Sequence, residues 1–208
     1  MIVGILSCAY VYGFSRLHKR SIIVCGSENT GGAPRWCNAI HLVPQLMVMP
    51  ALKLIAALVP TIAAPCGQLF FTVFGHMLLF DFWYLKLNAV MIAHHGTCLL
   101  GHMFGCFVAP EAFVRYFNAC TALEIGSGAS CAWWNHGEQL PLDGTYFWTM
   151  TASNACAALE LIRWAQSATS LHGVFRVLPV PITLYLIYVR QIECVRVVRD
   201  GRGAATTG

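Results

Sequence analysis

Two adjacent histidines, His94 and His95, lie in a strongly apolar stretch of the chain that also contains an aspartate, Asp81. Imidazole suits proton transfer near neutral pH because its ordinary pKa is about 6.5. A carboxylate close by can orient a histidine that acts as a general base or a nucleophile. Ionisable groups are costly in apolar surroundings, and those present usually have a function. The stretch from Gly75 to His95 therefore predicts a catalytic site, with His94, His95 and Asp81 as its candidate residues.

Four further polar residues fall inside other apolar segments: His41, Glu124, Ser127 and Asn154. Counting from the predicted segment ends, the histidine pair lies about 10 Å deep at a helical rise of about 1.5 Å per residue. Glu124 and Asn154 reach a similar depth from the same side. We therefore expect one interior cavity to connect these polar groups with the catalytic candidates, and we assign the four as lipid-binding or supporting residues.

The fourth apolar segment carries a stripe of small and polar residues, and it includes the run Gly126-Ser127-Gly128. Small residues allow helices to approach closely. Paired glycines also weaken a helix and favour a bend. We therefore expect Glu124 to face protein and the segment to bend near it. Glu160 and Arg163 are spaced i, i+3 and predict a structural ion pair.

The composition indicates a membrane protein. Hydrophobic residues make up 57% of the 208 residues and charged residues only 11%, against about 25% in soluble domains. Mean hydropathy is +0.62. The apolar stretches are continuous, which favours helices over a β-barrel. The net charge of +4 is small, and no nucleic-acid partner is predicted. None of the ten cysteines forms a C-x-x-C pair, so we expect packing residues and predict no metal site and no cofactor.

The fold predicted is an all-α, polytopic transmembrane helical bundle with six spans, preceded by a possible short N-terminal span over the apolar run 1–14. The residues 21–35 are expected to form a loop, because they are rich in Gly, Ser, Asn and Pro. Residues 1–33 thus form an N-terminal segment, 34–198 the transmembrane domain and 199–208 a disordered tail. The six predicted spans are about 38–60, 64–84, 88–109, 112–134, 145–165 and 174–194. Prolines inside the first, second and last of them predict kinks.

Basic residues are distributed unequally between the two faces of this bundle. Nine fall on one face and three on the other, which predicts that the nine-residue face and the C-terminal tail are cytosolic. The nine are Arg16, Lys19, Arg20, Arg35, Lys86, Arg190, Arg196, Arg199 and Arg202, and the three are Arg115, Arg163 and Arg176.

Several short motifs resemble, in order and spacing, those of the TLC-domain family of membrane proteins, which includes the ceramide synthases. The motifs are Trp36-Cys37-Asn38-Ala39-Ile40-His41, Gly75-His76-Met77-Leu78-Leu79-Phe80-Asp81, Ala93-His94-His95, Glu124-Ile125-Gly126-Ser127-Gly128 and Ile162-Arg163-Trp164. The resemblance covers residues 34–198. It implies a six-span bundle in the endoplasmic reticulum or another endomembrane, with membrane lipid as its partner.

The chain also departs from the ceramide-synthase pattern. The segment after His95, GTCLLGHMFGCFVAPEAF, contains neither the His-Asp pair nor the later aspartate of those enzymes. His76 replaces a tyrosine, and Gly128 replaces a proline. The signature is half present, which weakens the acyltransferase assignment.

Three functions remain open at this point. The favoured one is a lipid-handling protein that binds an acyl chain in the bundle interior and affects lipid composition, homeostasis or trafficking. The first alternative is an N-acyltransferase that uses fatty acyl-CoA as co-substrate and the histidine pair as nucleophile or general base. A remote alternative is a haem or metal membrane protein, because histidines on different spans could ligate a haem.

Overall fold

The computed structural model describes residues 2–26, 29–30, 33–85, 87, 89–103, 110–136, 141–177 and 179–200. These residues are helical almost throughout, which confirms the all-α class. The helices are α1 (Ile2–Cys25), α2 (Arg35–Val43), α3 (Met49–Leu58), α4 (Ala63–Tyr84), α5 (Ala89–Met103), α6 (Phe113–His136), α7 (Asp143–Ser167), α8 (Gly173–Val177) and α9 (Pro179–Asp200). A two-stranded antiparallel ribbon pairs β1 (Asn29–Thr30) with β2 (Ala33–Pro34).

The N-terminal helix is longer than predicted. α1 runs for 24 residues, to Cys25, so the loop expected from residue 21 was wrong over its first five positions. The reason is local: residues 21–25 contain no Gly or Pro, and the Ser21 hydroxyl donates to the Leu17 carbonyl one turn earlier, at 2.8 Å. The helix stops before Gly26, whose φ of +74° suits a residue without a side chain.

Among the described residues, two helical segments are long and apolar enough to cross a membrane, Arg35–Leu58 with 24 residues and Pro60–Tyr84 with 25 residues. At about 1.5 Å per residue each is roughly 36 Å long. A π-helical turn at Pro44–Val48 joins α2 to α3 within the first segment. Proline has no amide hydrogen, so the wider turn accommodates the missing bond. The kink predicted at the prolines stays a prediction, although Pro44 does coincide with this irregular turn.

The central core lies where α3, α4 and α6 meet. Met49, Phe70, Val73 and Phe117 are buried in it. A second cluster joins α1, α2 and α4 through Phe14, Trp36, Ile40 and Phe80. α6 packs along α7, and α9 packs against α7. This arrangement brings the inner faces of α2, α4 and α6 together.

α6 continues without a break through Gly126-Ser127-Gly128, so these glycines do not interrupt the helix. Their role is close approach, as the small-residue stripe predicted. A Cβ at Gly126 would fall 2.5 Å from Arg190 Nη2, and one at Gly128 would fall 2.5 Å from Leu46 Cδ2. α9 and the π-helical turn could not pack at these positions against larger side chains.

Candidate functional site

A buried carboxylate, Asp81 on α4, lies between two histidines from other helices. Its Oδ2 is 2.9 Å from Nε2 of His95 on α5, and its Oδ1 is 3.2 Å from Nε2 of His41 on α2. Exposure is 9% for Asp81, 7% for His41 and 2% for His95. The three helices thus place one carboxylate and two imidazoles in direct contact away from solvent.

The hydrogen bonds of His95 locate its protons. Its Nδ1 is 2.9 Å from the carbonyl oxygen of Met91, and a carbonyl only accepts, so Nδ1 carries a hydrogen. The contact between Nε2 and Asp81 then contains a single proton, which belongs either to an imidazolium or to a neutral carboxylic acid. In both cases the pair is neutral overall, and this lowers the cost of burying it. Both ring nitrogens of His95 are therefore occupied.

His94 does not join this contact. Successive helical residues point about 100° apart, and the half-buried His94 ring faces Cys98, with Sγ 3.9 Å from Nε2. That separation is a weak contact rather than a strong hydrogen bond. The structure therefore separates the two histidines that the sequence paired: His95 is fixed by Asp81, and His94 is not.

Glu124 lies in a second polar group next to the first. Gln45, in the π-helical turn, donates from Nε2 to Glu124 Oε2 at 3.0 Å. Arg190 of α9 donates from Nη2 to the Leu123 carbonyl at 2.7 Å. Glu124 also interacts electrostatically with Arg190 and with His41. The expected convergence of Glu124 with His41 and Asp81 is thus present in the structure. We refer to Asp81, His41, His95, Gln45, Glu124 and Arg190 as the interior polar cluster.

The other two supporting candidates lie at or beyond the edge of this cluster. Asn154 is buried on α7, and its Nδ2 donates to Gln191 Oε1 of α9 at 2.8 Å. Gln191 in turn donates to Thr151 at 2.9 Å. Ser127 is half-buried on α6, and its side chain joins none of the hydrogen bonds found among the described residues. Asn154 therefore helps to fasten α9 to α7, and the structure gives Ser127 no place in the interior polar cluster.

Two surface clefts are lined by described residues outside the interior polar cluster. One follows α1 near Arg16, Lys19 and Arg20; the other lies between α7, α8 and α9, near Arg176 and Val180. The connected cavity expected from the sequence stays a prediction. Within the cluster, polar side chains contact one another, as His95 does Asp81 and Gln45 does Glu124.

The sequence interpretation missed three members of the site. Gln45 follows a proline that interrupts the span, which was the available signal. Arg190 was counted with the cytosolic face, but it lies within α9 and reaches α6 and α7. Cys37 is 1% exposed and was assigned to packing. Its ligand atom and those of His41 and Asp81 all lie within 4.8 Å of one another, so these three could hold a metal ion.

Polar contacts elsewhere are structural. Glu160 accepts from Arg163 at 2.8 Å and from Arg115 at 3.2 Å, which confirms the predicted i, i+3 ion pair. His102 contacts the Tyr116 hydroxyl at 3.1 Å. Ser170 donates from its hydroxyl and amide to Glu111, and these hydrogen bonds lower the pKa of the Glu111 carboxyl.

Searches for relatives add nothing to this geometry. No protein-family model, no curated protein and no solved structure matches the chain.

Proposed function

We propose that this protein is a multi-pass membrane protein of the TLC type that handles lipid, with the polar part of the lipid bound at the interior polar cluster. The main observation that supports this proposal is where apolar and ionisable side chains lie. Large apolar side chains point outward from the long helices, for example Ile23, Leu58 and Trp83. The ionisable groups Asp81, His95 and Glu124 are buried inside. This distribution suits a lipid exterior.

The six-span topology is part of the proposal. α6, α7 and α9 have 24, 25 and 22 residues, enough to span at about 20 residues each. Together they carry more charged residues than the two most apolar segments do. Glu124 is buried inside the bundle, where the charge of Arg190 interacts with it, and Arg196 and Arg199 lie near the end of α9. The remaining basic asymmetry supports a cytosolic C-terminal tail, and the proposal includes an endomembrane location, which the resemblance implies.

α5 provides the route by which a lipid reaches the cluster. Among its described residues only His95 is buried, and His95 holds the helix to α4 through Asp81. Fewer buried apolar side chains therefore hold α5 in the bundle than hold the neighbouring helices. A lipid that enters beside α5 would place its acyl chain along apolar helix surfaces and its polar group near Asp81 and Glu124.

A second candidate function is N-acyl transfer from fatty acyl-CoA, which one observation favours. His95 and Asp81 form the histidine–carboxylate hydrogen bond that supports general bases. The other ring nitrogen of His95 is bonded to Met91, whereas a general base needs one nitrogen directed at its substrate. The geometry therefore favours lipid handling over acyl transfer.

The proposal is tested by measuring lipid on the purified protein. The protein would be expressed in cells fed a photoactivatable, clickable fatty acid, irradiated, purified in mild detergent and analysed by mass spectrometry. We expect crosslinks on α5 and α4, and a co-purifying lipid that Glu124→Gln and Asp81→Asn reduce several-fold. The matched control is Glu160→Gln, because this carboxylate lies outside the cluster, and it should retain the lipid.

The cellular lipid profile separates the two functions. Broad phospholipid changes on deletion of the gene support lipid handling. A change confined to ceramide acyl-chain lengths supports the acyltransferase and contradicts our proposal. Absence of both crosslinks and lipid changes rejects both functions.

A further inference from the structure

We propose that Cys37, His41 and Asp81 bind a divalent transition-metal ion, and that Zn²⁺ is the ion their chemistry fits best. Each residue offers one ligand atom, and the three atoms lie within 4.8 Å of one another. All three side chains are buried, with 1% exposure for Cys37, 7% for His41 and 9% for Asp81. This site does not depend on the lipid function, since metal binding can be measured without any lipid.

The helices explain how the ligands meet. Cys37 and His41 are spaced i, i+4 on α2, so their side chains lie on the same face one turn apart. α4 brings Asp81 against that face from a position forty residues later in the chain. A pair of ligands on one helix and a third on its neighbour form a chelating site that can bind an ion with little movement of the backbone.

Two of the ligand atoms face each other. His41 Nε2 and Asp81 Oδ1 are 3.2 Å apart, within ion-pair distance, but the contact is not aligned as a hydrogen bond, and neither atom has another hydrogen-bond partner among the described residues. Buried polar atoms in native proteins are nearly always hydrogen-bonded, so this incomplete contact favours a further ligand such as an ion. Zn–N and Zn–O bonds of about 2.0–2.1 Å at a tetrahedral angle place the two ligand atoms about 3.3 Å apart. The observed separation fits that value.

Cys37 completes the set with a small adjustment. With a Zn–S bond of about 2.3 Å, the sulfur should lie about 3.5 Å from each of the other ligand atoms, whereas the group extends to 4.8 Å. Rotation about the Cα–Cβ bond of Cys37 can move the sulfur across most of the difference between these two distances.

The donor set selects the metal. Thiolate is a soft ligand that Mg²⁺ and Ca²⁺ avoid, and a mixed sulfur, nitrogen and oxygen set is typical of Zn²⁺. One thiolate and one carboxylate together offset both charges of the ion, which lowers the cost of burying it. His95 Nε2 donates to the second oxygen of Asp81, which holds the carboxylate in place as an outer partner of the metal. Three protein ligands leave the fourth position open.

Metal content and spectroscopy test the site. The full-length protein, purified in detergent with a cleavable tag that contains no histidine, would be analysed for metals by mass spectrometry. It would then be stripped with a chelator and titrated with CoCl₂ and with ZnCl₂. We expect about one zinc per chain, and with Co²⁺ a thiolate-to-cobalt charge-transfer band together with intense visible bands of a tetrahedral site.

Two variants locate the ion, and one serves as control. Cys37→Ala should abolish the charge-transfer band, and His41→Gln should reduce the affinity for Co²⁺ at least tenfold. Cys66→Ala removes another buried cysteine, on α4, and should leave the spectrum unchanged.

Three outcomes would overturn the proposal: a wild type that neither contains nor takes up metal, cobalt binding without a thiolate band, or a band that survives Cys37→Ala. The first two are read on the wild type alone, so the test holds even if a variant fails to fold.

Discussion

Nε2 of His95 lies 2.9 Å from Oδ2 of Asp81, although the two residues are fourteen positions apart and belong to different helices. This contact joins α5 to α4 and brings the second histidine of the sequence pair to the first candidate carboxylate. Because both partners are buried, neither can be removed without leaving the other unsatisfied.

Replacing Asp81 should therefore destabilise the protein strongly. Breaking a buried charge contact by removing one partner typically costs about 3–5 kcal/mol, and Asp81→Ala leaves both His41 and His95 without their carboxylate. Asp81→Asn should cost less, because the amide can still bond to His95. Thermal unfolding in detergent, followed by fluorescence-detected size exclusion, measures the effect.

Glu160→Ala is the matched control for Asp81→Ala. The arginines that pair with Glu160 are 42% and 47% exposed, and pairs with exposed partners contribute about 0–1 kcal/mol. Equal losses in the two variants would contradict the special position of Asp81.

The two adjacent histidines should respond differently to glutamine substitution. His95→Gln loses the bond to Asp81 or the bond to Met91, since one amide cannot reproduce both ring nitrogens in place, and the melting temperature should fall. His94→Gln changes only a weak contact with Cys98, so its melting temperature should stay near the wild-type value. A lower melting temperature for His94→Gln than for His95→Gln would show that the structure assigns the wrong histidine to Asp81.

Gly126 should tolerate no side chain. In Gly126→Ala the added methyl group meets Arg190 and Ser153, and overpacking of this kind costs about 1–3 kcal/mol. Gly96, on α5, has no neighbour within 4 Å of the position that an added methyl group would occupy, so Gly96→Ala should gain up to about 1 kcal/mol of helix propensity. Chemical denaturation of both variants measures the contrast, and opposite signs are the expected result.

Arg190 should be far more sensitive than its neighbours on α9. Arg190→Gln shortens the side chain, so the hydrogen bond to Leu123 is lost and Glu124 loses its nearby positive charge; hydrogen bonds to charged groups are worth about 1.5–3 kcal/mol. Arg196→Gln removes an exposed pair with Glu193 at 2.9 Å and should change stability by less than about 0.5 kcal/mol. Similar unfolding midpoints for the two variants would place Arg190 outside the bundle.

Topology can be tested with glycosylation acceptors on flexible linkers. An acceptor after Arg202 should remain unmodified if the tail is cytosolic. An acceptor in the 168–172 connection, at the opposite end of α9, should be modified. The reverse pattern would invert the orientation deduced from the basic residues.

The amino-acid sequence by itself determined the helical class, the bounds of a long helix and which ionisable residues lie within apolar runs. Continuous apolar runs with few charges leave no alternative to helices, because every backbone group must bond internally. The predicted span 64–84 nearly coincides with α4, Ala63–Tyr84. Rare ionisable residues in such runs, Asp81 and Glu124 among them, are visible without a structure.

Only the tertiary structure decided which of these residues meet. Helical periodicity gives the face of a residue within its own helix, but it does not fix how helices rotate against one another. Packing at Gly126 turns Arg190, which was counted with the cytosolic face, toward α6. The approach of α2 to α4 similarly places Cys37 and His41 beside Asp81. Such contacts depend on the fit of whole helix surfaces, which no local pattern in the sequence encodes.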